Sequence, residues 1–480
     1  MLLKKQHMAP NTVHDEKIEE RHREKLIEIS KKISVKEAGT FSFMDGFGLR
    51  NIMPFALAIG ANNLQIALLN SLPGLLGNFS QLLTIKAMGI WSRKKITIVG
   101  VTIQAFLWLS LIAVGALYYV GNIKSHWPAS LMVGLYTFLI MSGAFAGPAW
   151  SSWMKDIVTK DLGAYFGKRN RIAGTLSLIN SLVAGWMLDF FKSKEIIFVG
   201  FAILFTIAFA GRYAGTKFLK LQHEPPYTQD ATAYFTFAQF IKKMAYNNFG
   251  RFVIFVSIYS LVSQISSPFI VVFMLTNLEF SYIQYTVVIL AGSLTSLITL
   301  PAWGRFSDRY GALKSIRISA LTVPIIPFLW MVPAFFEMTK MNAVVYLVLV
   351  QALAGFLWTG YELSLGNFIF NAVTRQRLAI CMSYFSVLNG FGALIGALLG
   401  SWLVSLKNPI IGIAPIIFVF GVSGVGRLLA ALFAGTKVKE VRPVEQFGIG
   451  EARHFLKTTS ESTLKYFESF TQRIMRRTPF

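Results

Sequence analysis

Stretches of about twenty predominantly apolar residues recur along the whole chain, twelve of them in 480 residues. Read to within about three residues, they are 41–60, 65–90, 96–119, 128–152, 171–191, 196–215, 251–275, 281–303, 315–336, 342–371, 378–404 and 411–434. A helix needs about 20 apolar residues to cross the hydrocarbon of a bilayer. Inside lipid the backbone must satisfy its own hydrogen bonds, so helices are the form such runs take. The spacing therefore predicts an all-α membrane protein of twelve transmembrane helices. Only 14% of the residues are charged, against about a quarter in soluble domains, which excludes a multidomain soluble enzyme.

Charge sets the expected orientation. The formal net charge is +23, which in a soluble protein would point to nucleic acid. Here the basic residues gather in alternate connections, so no nucleic-acid partner is expected and the lipid bilayer is. The connections after spans two, four, six, eight and ten, with the span ends that adjoin them, hold 20 Lys and Arg; the other five hold only Lys124, Lys192, Lys194, Lys340 and Lys407. By the positive-inside bias the first set and both chain ends are cytoplasmic. The expected layout is a cytoplasmic tail at 1–40, a six-helix bundle at 41–215, a cytoplasmic linker at 216–250, a second bundle at 251–435 and a basic tail at 436–480. In the linker Tyr234, Phe235, Phe237 and Phe240 beside Lys242 and Lys243 read as a helix lying on the membrane surface. Residues 1–40 lack the apolar core of a cleavable leader. Cys381, the single cysteine, forms no intrachain disulfide and no cysteine metal cluster.

The six-and-six division invites a search for an internal repeat. Ile157-Val158-Thr159-Lys160 resembles Ala372-Val373-Thr374-Arg375, and Gly211-Arg212 matches Gly426-Arg427, both at an offset of 215 residues.

After span eight the chain reads Gly304-Arg305-Phe306-Ser307-Asp308-Arg309-Tyr310-Gly311-Ala312-Leu313-Lys314. This resembles the cytoplasmic loop signature of the major facilitator superfamily, Gly-x-x-x-Asp-Arg-x-Gly-x-x-[Lys/Arg]. Gly304 would let a neighbouring helix approach, Asp308 and Arg309 would make polar contacts at a helix end, Gly311 would allow a turn with positive φ, and Lys314 would restart the next helix. The copy after span two, Met88-Gly89-Ile90-Trp91-Ser92-Arg93-Lys94-Lys95, keeps only the basic end. Gly147-Pro148-Ala149-Trp150-Ser151-Ser152-Trp153 with Gly163 to Asn170 is similar to a poorly characterised bacterial and archaeal branch of that superfamily. Over about residues 41–435 the resemblance implies two six-helix bundles, a central cavity and alternating access, with Asp308 holding the cytoplasmic side closed. Gly143-x-x-x-Gly147-Pro148 also looks like the family's antiporter motif, but stands on span four rather than five.

Acidic side chains are scarce inside the spans. Glu362, on span ten, lies deepest; a carboxylate there is costly unless paired, protonated or wetted. A gate pair with Arg305, Arg309 or Arg375, a proton-coupling or substrate-cation site, and a lipid-edge position with no role are the competing readings. Asp45 and Arg50, five apart, do not align on an ordinary helix and read as interfacial anchors. Neutral candidates for a substrate cavity are Asn51, Gln264, Gln284 and Asn389, with Trp358 and Tyr361 beside Glu362; helix-helix hydrogen bonding is the competing role for each. No phosphate-binding loop, catalytic triad or metal-ligand cluster stands out, so neither an enzyme nor a cofactor is expected. The reading is a monomeric secondary transporter of a small-molecule substrate in the cytoplasmic membrane, with protons as a candidate coupling ion. The alternatives are a lipid or lysolipid translocator and a non-transporting scaffold or sensor. Gly392, Gly396 and Gly400 share one helix face suited to close packing.

Overall fold

A computed structural model describes residues 13–445, apart from 160, 227–235, 337, 375–376, 407, 410–411 and 435–436. Arg375 and most of the C-terminal tail lie outside the described residues. The described chain is helical and contains no strand. The N-terminal group comprises α1 (Val13–Phe43), α2 (Ile52–Ala58), α3 (Asn63–Ala87), α4 (Arg93–Tyr119), α5 (Trp127–Ile157), α6 (Leu162–Ser193) and α7 (Ile197–Leu221). The short α8 (Phe237–Met244) follows. The C-terminal group comprises α9 (Asn248–Gln264), α10 (Phe269–Val272), α11 (Tyr282–Tyr310), α12 (Ala312–Thr322), α13 (Ile325–Phe335), α14 (Lys340–Ala372), α15 (Leu378–Val404) and α16 (Pro415–Leu429).

Among the described residues ten helical stretches are long and apolar enough to cross a membrane, so the chain is a multi-pass membrane protein. The two other expected spans are helical but less regular in make-up. At 41–60 the helix passes through a π turn (Met44–Gly48) and a 3-10 turn (Leu49–Asn51) before α2. In α3, Asn63, Gln65, Asn70, Asn78 and Gln81 interrupt the apolar sequence. Elsewhere Pro268 and Pro324 stand at breaks between consecutive helical pieces, α9 to α10 and α12 to α13, as the missing N–H of proline dictates.

Residues 1–40 are not wholly a tail. From Val13 one helix runs without interruption to Phe43, and Ser30, Ser34, Glu37 and Ala38 on it are buried. It packs on α6 and α7. The helix carries Glu37 between two arginines: Arg169 Nη2 at 2.6 Å from Oε2 and Arg212 Nη1 at 3.5 Å from Oε1. Arg212 Nε also donates to Gln104 Oε1 at 2.7 Å. Gly143 leaves the room for the Gln104 side chain, since a Cβ there would stand 2.9 Å from its Cδ. That first glycine of the Gly143-Gly147-Pro148 stretch is thus accounted for by packing.

The repeat expected at an offset of 215 has a physical counterpart. Arg212 on α7 and Arg427 on α16 are both buried, at 7% and 4% exposure. Arg212 meets a carboxylate. Arg427 instead donates to the Ser263 carbonyl at 3.1 Å and the Ser266 hydroxyl at 3.2 Å. Gly392, Gly396 and Gly400 abut the Ser257, Leu261 and Ile265 carbonyls of α9 and the turn after it, so α15 lies closer to α9 than any side chain would permit.

The two groups meet along α3 against α15 and α6 against α11. Asn63 donates to Ser405 Oγ at 3.3 Å, Asn70 to Gln264 Oε1 at 2.7 Å and Asn78 to the Ser386 carbonyl at 2.9 Å. At the end away from the basic loops, the Asp189 carboxylate accepts from the backbone N–H groups of Tyr282 at 2.7 Å and Ile283 at 2.9 Å. These are orphan donors of the first turn of α11, so an acid of one group caps a helix of the other.

Candidate functional site

Two cavities lie beside α14. The first, about 470 Å³, is walled by α9, α14 and α15. Five of the side chains expected around a substrate cavity line it together: Gln264, Trp358, Tyr361, Glu362 and Asn389. Helical periodicity explains the grouping on α14, where Trp358, Tyr361, Glu362 and Leu365 fall on one face. Trp358 and Tyr361 pack edge to face at 5.5 Å, and Tyr259 lies tilted against Tyr361 at 4.9 Å. The Arg427 guanidinium stands 5.8 Å from the Trp358 ring centre, behind the wall, and its Nε is buried without a described partner.

The hydrogen-bonding account of this wall does not close. Tyr361 Oη, Ser263 Oγ and Asn389 Oδ1 are buried, and among the described residues none has a hydrogen-bond partner. Such groups are rare in native proteins, and three of them border one cavity.

The second cavity, about 560 Å³, lies between α6, α11 and α14, and Glu362 lines it too, with Arg50, Ser293, Ser296 and Thr359. Here Asp45 and Arg50 depart from the expectation of separate anchors. Arg50 Nε donates to Asp45 Oδ2 at 3.4 Å, and Arg50 Nη1 reaches Ser293 Oγ of the other group at 3.4 Å. Asp45 also accepts from the Ser177 hydroxyl. The π turn at Met44–Gly48 brings residues five apart to one side of the helix.

Two other candidates do not reach a cavity. Asn51 is 4% exposed, and its Nδ2 donates to the Gly46 carbonyl at 3.0 Å and the Phe47 carbonyl at 3.1 Å. It satisfies acceptors left by the irregular turn. Gln284 forms a capping box with Ser281, its Oε1 accepting from Ser281 N at 2.9 Å and its N–H donating to Ser281 Oγ at 3.3 Å. The spacing Ser281-x-x-Gln284 is a helix-start signature that outweighs its place on an apolar span.

The loop at 304–314 is bound by the segment that follows the last helix. Gly311 has φ +99°, as the turn requires. The Glu440 carboxylate accepts from Leu313 N at 2.8 Å, Glu445 Oε2 pairs with Arg309 Nε at 2.6 Å, and Arg442 Nη2 donates to the carbonyls of Ser307 at 2.9 Å and Asp308 at 2.5 Å. The Asp308 carboxylate is exposed and makes no described contact with the N-terminal group. A Cβ on Gly304 would meet only Leu363 at 3.9 Å, so no close helix approach depends on it. Lys314 lies in the first turn of α12. The degraded copy is held in the same manner: buried Arg93 pairs with Asp156 at 2.6 Å and donates to the Pro225 carbonyl at 3.1 Å, while Lys94 N donates to Glu224 at 3.1 Å. Each group is fastened by the chain just beyond its own last helix. Among the described residues Glu362 forms no ion pair with Arg305 or Arg309.

Missed in the sequence were Glu37, Asp189, Glu440 and the Asp45–Arg50 pairing. Their only signal is that each is an acid at or near the end of an apolar span.

Comparison with known proteins follows the same lines. A family model described as Major Facilitator Superfamily matches residues 249–479. No curated protein matches the chain in sequence. Among solved structures, a mutant of the nucleoside transporter NupG superposes with a TM-score of 0.67 at 17% identity, over 86% of this chain and 100% of that one. A bacterial homologue of the iron transporter ferroportin in an inward-facing state gives 0.59 at 15% identity, over 86% and 97%. A structure described for substrate recognition in proton-dependent oligopeptide transporters gives 0.63 at 12% identity, over 85% and 98%. The C-terminal part of the chain thus resembles the major facilitator superfamily, and the chain shares its fold with the structures of these transporters.

Proposed function

We propose that the protein moves a small polar solute across the cytoplasmic membrane by alternating access, with the first cavity as its substrate site. The observation that carries this reading is the set of unpartnered buried groups, Tyr361 Oη, Ser263 Oγ and Asn389 Oδ1, around one volume of about 470 Å³. Each costs about 1–3 kcal/mol if left unsatisfied, and a small turn of these side chains into the cavity would let a hydrogen-bonding solute supply the partners. Glu362 is the one charged residue in that lining, which favours a neutral or cationic solute. Tyr259, Trp358 and Tyr361 offer ring faces, which favours a planar body. A cavity with this many polar groups suits acyl chains poorly, so the lipid translocator is the weaker reading. A scaffold has no need of unpaired groups at this depth.

Glu362 is the proposed coupling group. It lines both cavities, and Arg50, shared between Asp45 and Ser293, lines the second with it. In this reading Arg50 exchanges Asp45 for ionised Glu362 as the groups rock, and protonation of Glu362 releases it. The charge bias favours the cytoplasmic side for the basic loops, both chain ends and α8. The Asp189 cap and the Asn63 contact join the groups at the opposite end, which supports an inward-facing conformation.

A thermal-shift screen of the purified protein against nucleosides, short peptides and cationic amines identifies the solute. In proteoliposomes Glu362→Gln should then keep solute exchange and lose accumulation driven by a pH gradient. Undiminished accumulation in the variant would overturn the coupling role, and a solute that stabilises a Tyr361→Phe/Asn389→Ala variant as well as the wild type would overturn the site.

A further inference from the structure

A third cavity lies at the basic-loop end of the C-terminal group, away from both others. Its volume is about 690 Å³, and it is bordered by α8, the start of α9, the end of α14 and the start of α15. The floor is apolar: Phe240, Phe249 and Cys381, all under 10% exposed. Phe240 anchors α8 there, 5.6 Å from the Tyr384 ring and 6.1 Å from Phe249.

The polar groups of the rim divide into used and unused. Gln239 is taken up in a capping box with Thr236. Asn247 caps α9 through Gly250 N at 2.6 Å and donates to the Lys243 carbonyl at 2.8 Å. Thr374, Lys243 and Arg377 remain; the two cations are exposed, and neither forms an ion pair among the described residues. The sequence offers them no acid nearby in the chain. No Asp or Glu occurs between Phe237 and Leu278, or between Leu363 and Lys439. Two cations thus overhang an apolar recess, beside an amphipathic helix that holds Phe237 and Phe240 against Tyr384 and carries Lys242 outward.

We infer that this cavity binds an anionic phospholipid, with Lys243 and Arg377 on the phosphate and the apolar floor against the glycerol and first acyl carbons. Cations and hydrocarbon in one recess at the bilayer surface match an amphiphile with a negative head. A free phosphate would gain nothing from the floor, and a zwitterionic lipid would bring its own cation to two others.

The test is native mass spectrometry of the full-length protein, delipidated in neutral detergent and titrated with phosphatidylglycerol or phosphatidylcholine. The wild type should take up its first phosphatidylglycerol at about tenfold lower concentration than phosphatidylcholine. Lys243→Gln/Arg377→Gln should abolish the preference, and Lys242→Gln should keep it. No preference in the wild type, or an equal one in the double variant, would overturn the proposal. Loss of the preference in millimolar inorganic phosphate would also overturn it, by reassigning the recess to free phosphate. If the double variant does not fold, Arg377→Gln alone, at an exposed helix start, should weaken the preference at least threefold, and an unchanged preference there counts against the site.

Discussion

Arg50 Nε lies 3.4 Å from Asp45 Oδ2 across five residues of one helix, and the same guanidinium reaches Ser293 of the other group at 3.4 Å. An ordinary α-helix aligns residues three and four apart. The π turn is therefore what turns a pair of would-be anchors into a bridge between the groups. Arg50→Ala should lower stability by about 1–2 kcal/mol, since the pair is only partly buried. Asp45→Asn in the same protein should restore part of that loss, and melting curves of the two variants decide the point. Additive losses would mean that the two side chains act separately.

The polar residues that looked alike in sequence should separate by experiment. Tyr361→Phe removes a buried hydroxyl without a partner, so stability should hold or rise by up to about 1 kcal/mol while solute affinity falls. Gln284→Ala removes half of a capping box, so stability should fall by about 0.5–1 kcal/mol with affinity unchanged. Binding isotherms and melting curves on both variants check the contrast.

Gly311 stands at φ +99°, where a Cβ would come within 2.5 Å of Glu440 Oε2. Gly311→Ala should cost about 1–3 kcal/mol from backbone conformation and crowding together. Glu440→Ala in that background should relieve the crowding but not the backbone term. Limited proteolysis after residue 437 should accelerate in both variants, because Glu440 fastens that segment to Leu313 N.

Orientation is open to direct labelling. With Cys381 replaced by Ala, Lys124→Cys should react with an impermeant maleimide in intact cells and Lys155→Cys should not. The opposite pattern would reverse the assignment of faces.

The architecture was legible because apolar run length and basic-loop alternation are imposed by the bilayer itself. Much of the first cavity was legible for a simpler reason: Trp358, Tyr361 and Glu362 are neighbours on α14, so finding one found the rest. What could not be read depends on chain-distant or irregular geometry. Asn51 and Gln284 resembled cavity residues until the π turn and the capping box claimed their hydrogen bonds. Glu37 sits in a stretch as polar as a tail, and only the packing of α1 against α6 and α7 buries it. Asp308 carries the family signature, yet the described loop is held by Glu440, Arg442 and Glu445, from a segment that composition marked merely as basic.

Alternating access is tested most directly at the Asp189 cap. With Cys381 removed, spin labels at Ser125→Cys and Lys340→Cys report one face, and labels at Lys168→Cys and Tyr246→Cys report the other. Asp189→Ala deletes both bonds to the start of α11. The first distance distribution should then lengthen and the second shorten, in proportion, as pulsed electron resonance records them. Distances that move together, or that stay unchanged at both faces, would contradict a transporter whose two groups rock about a central cavity.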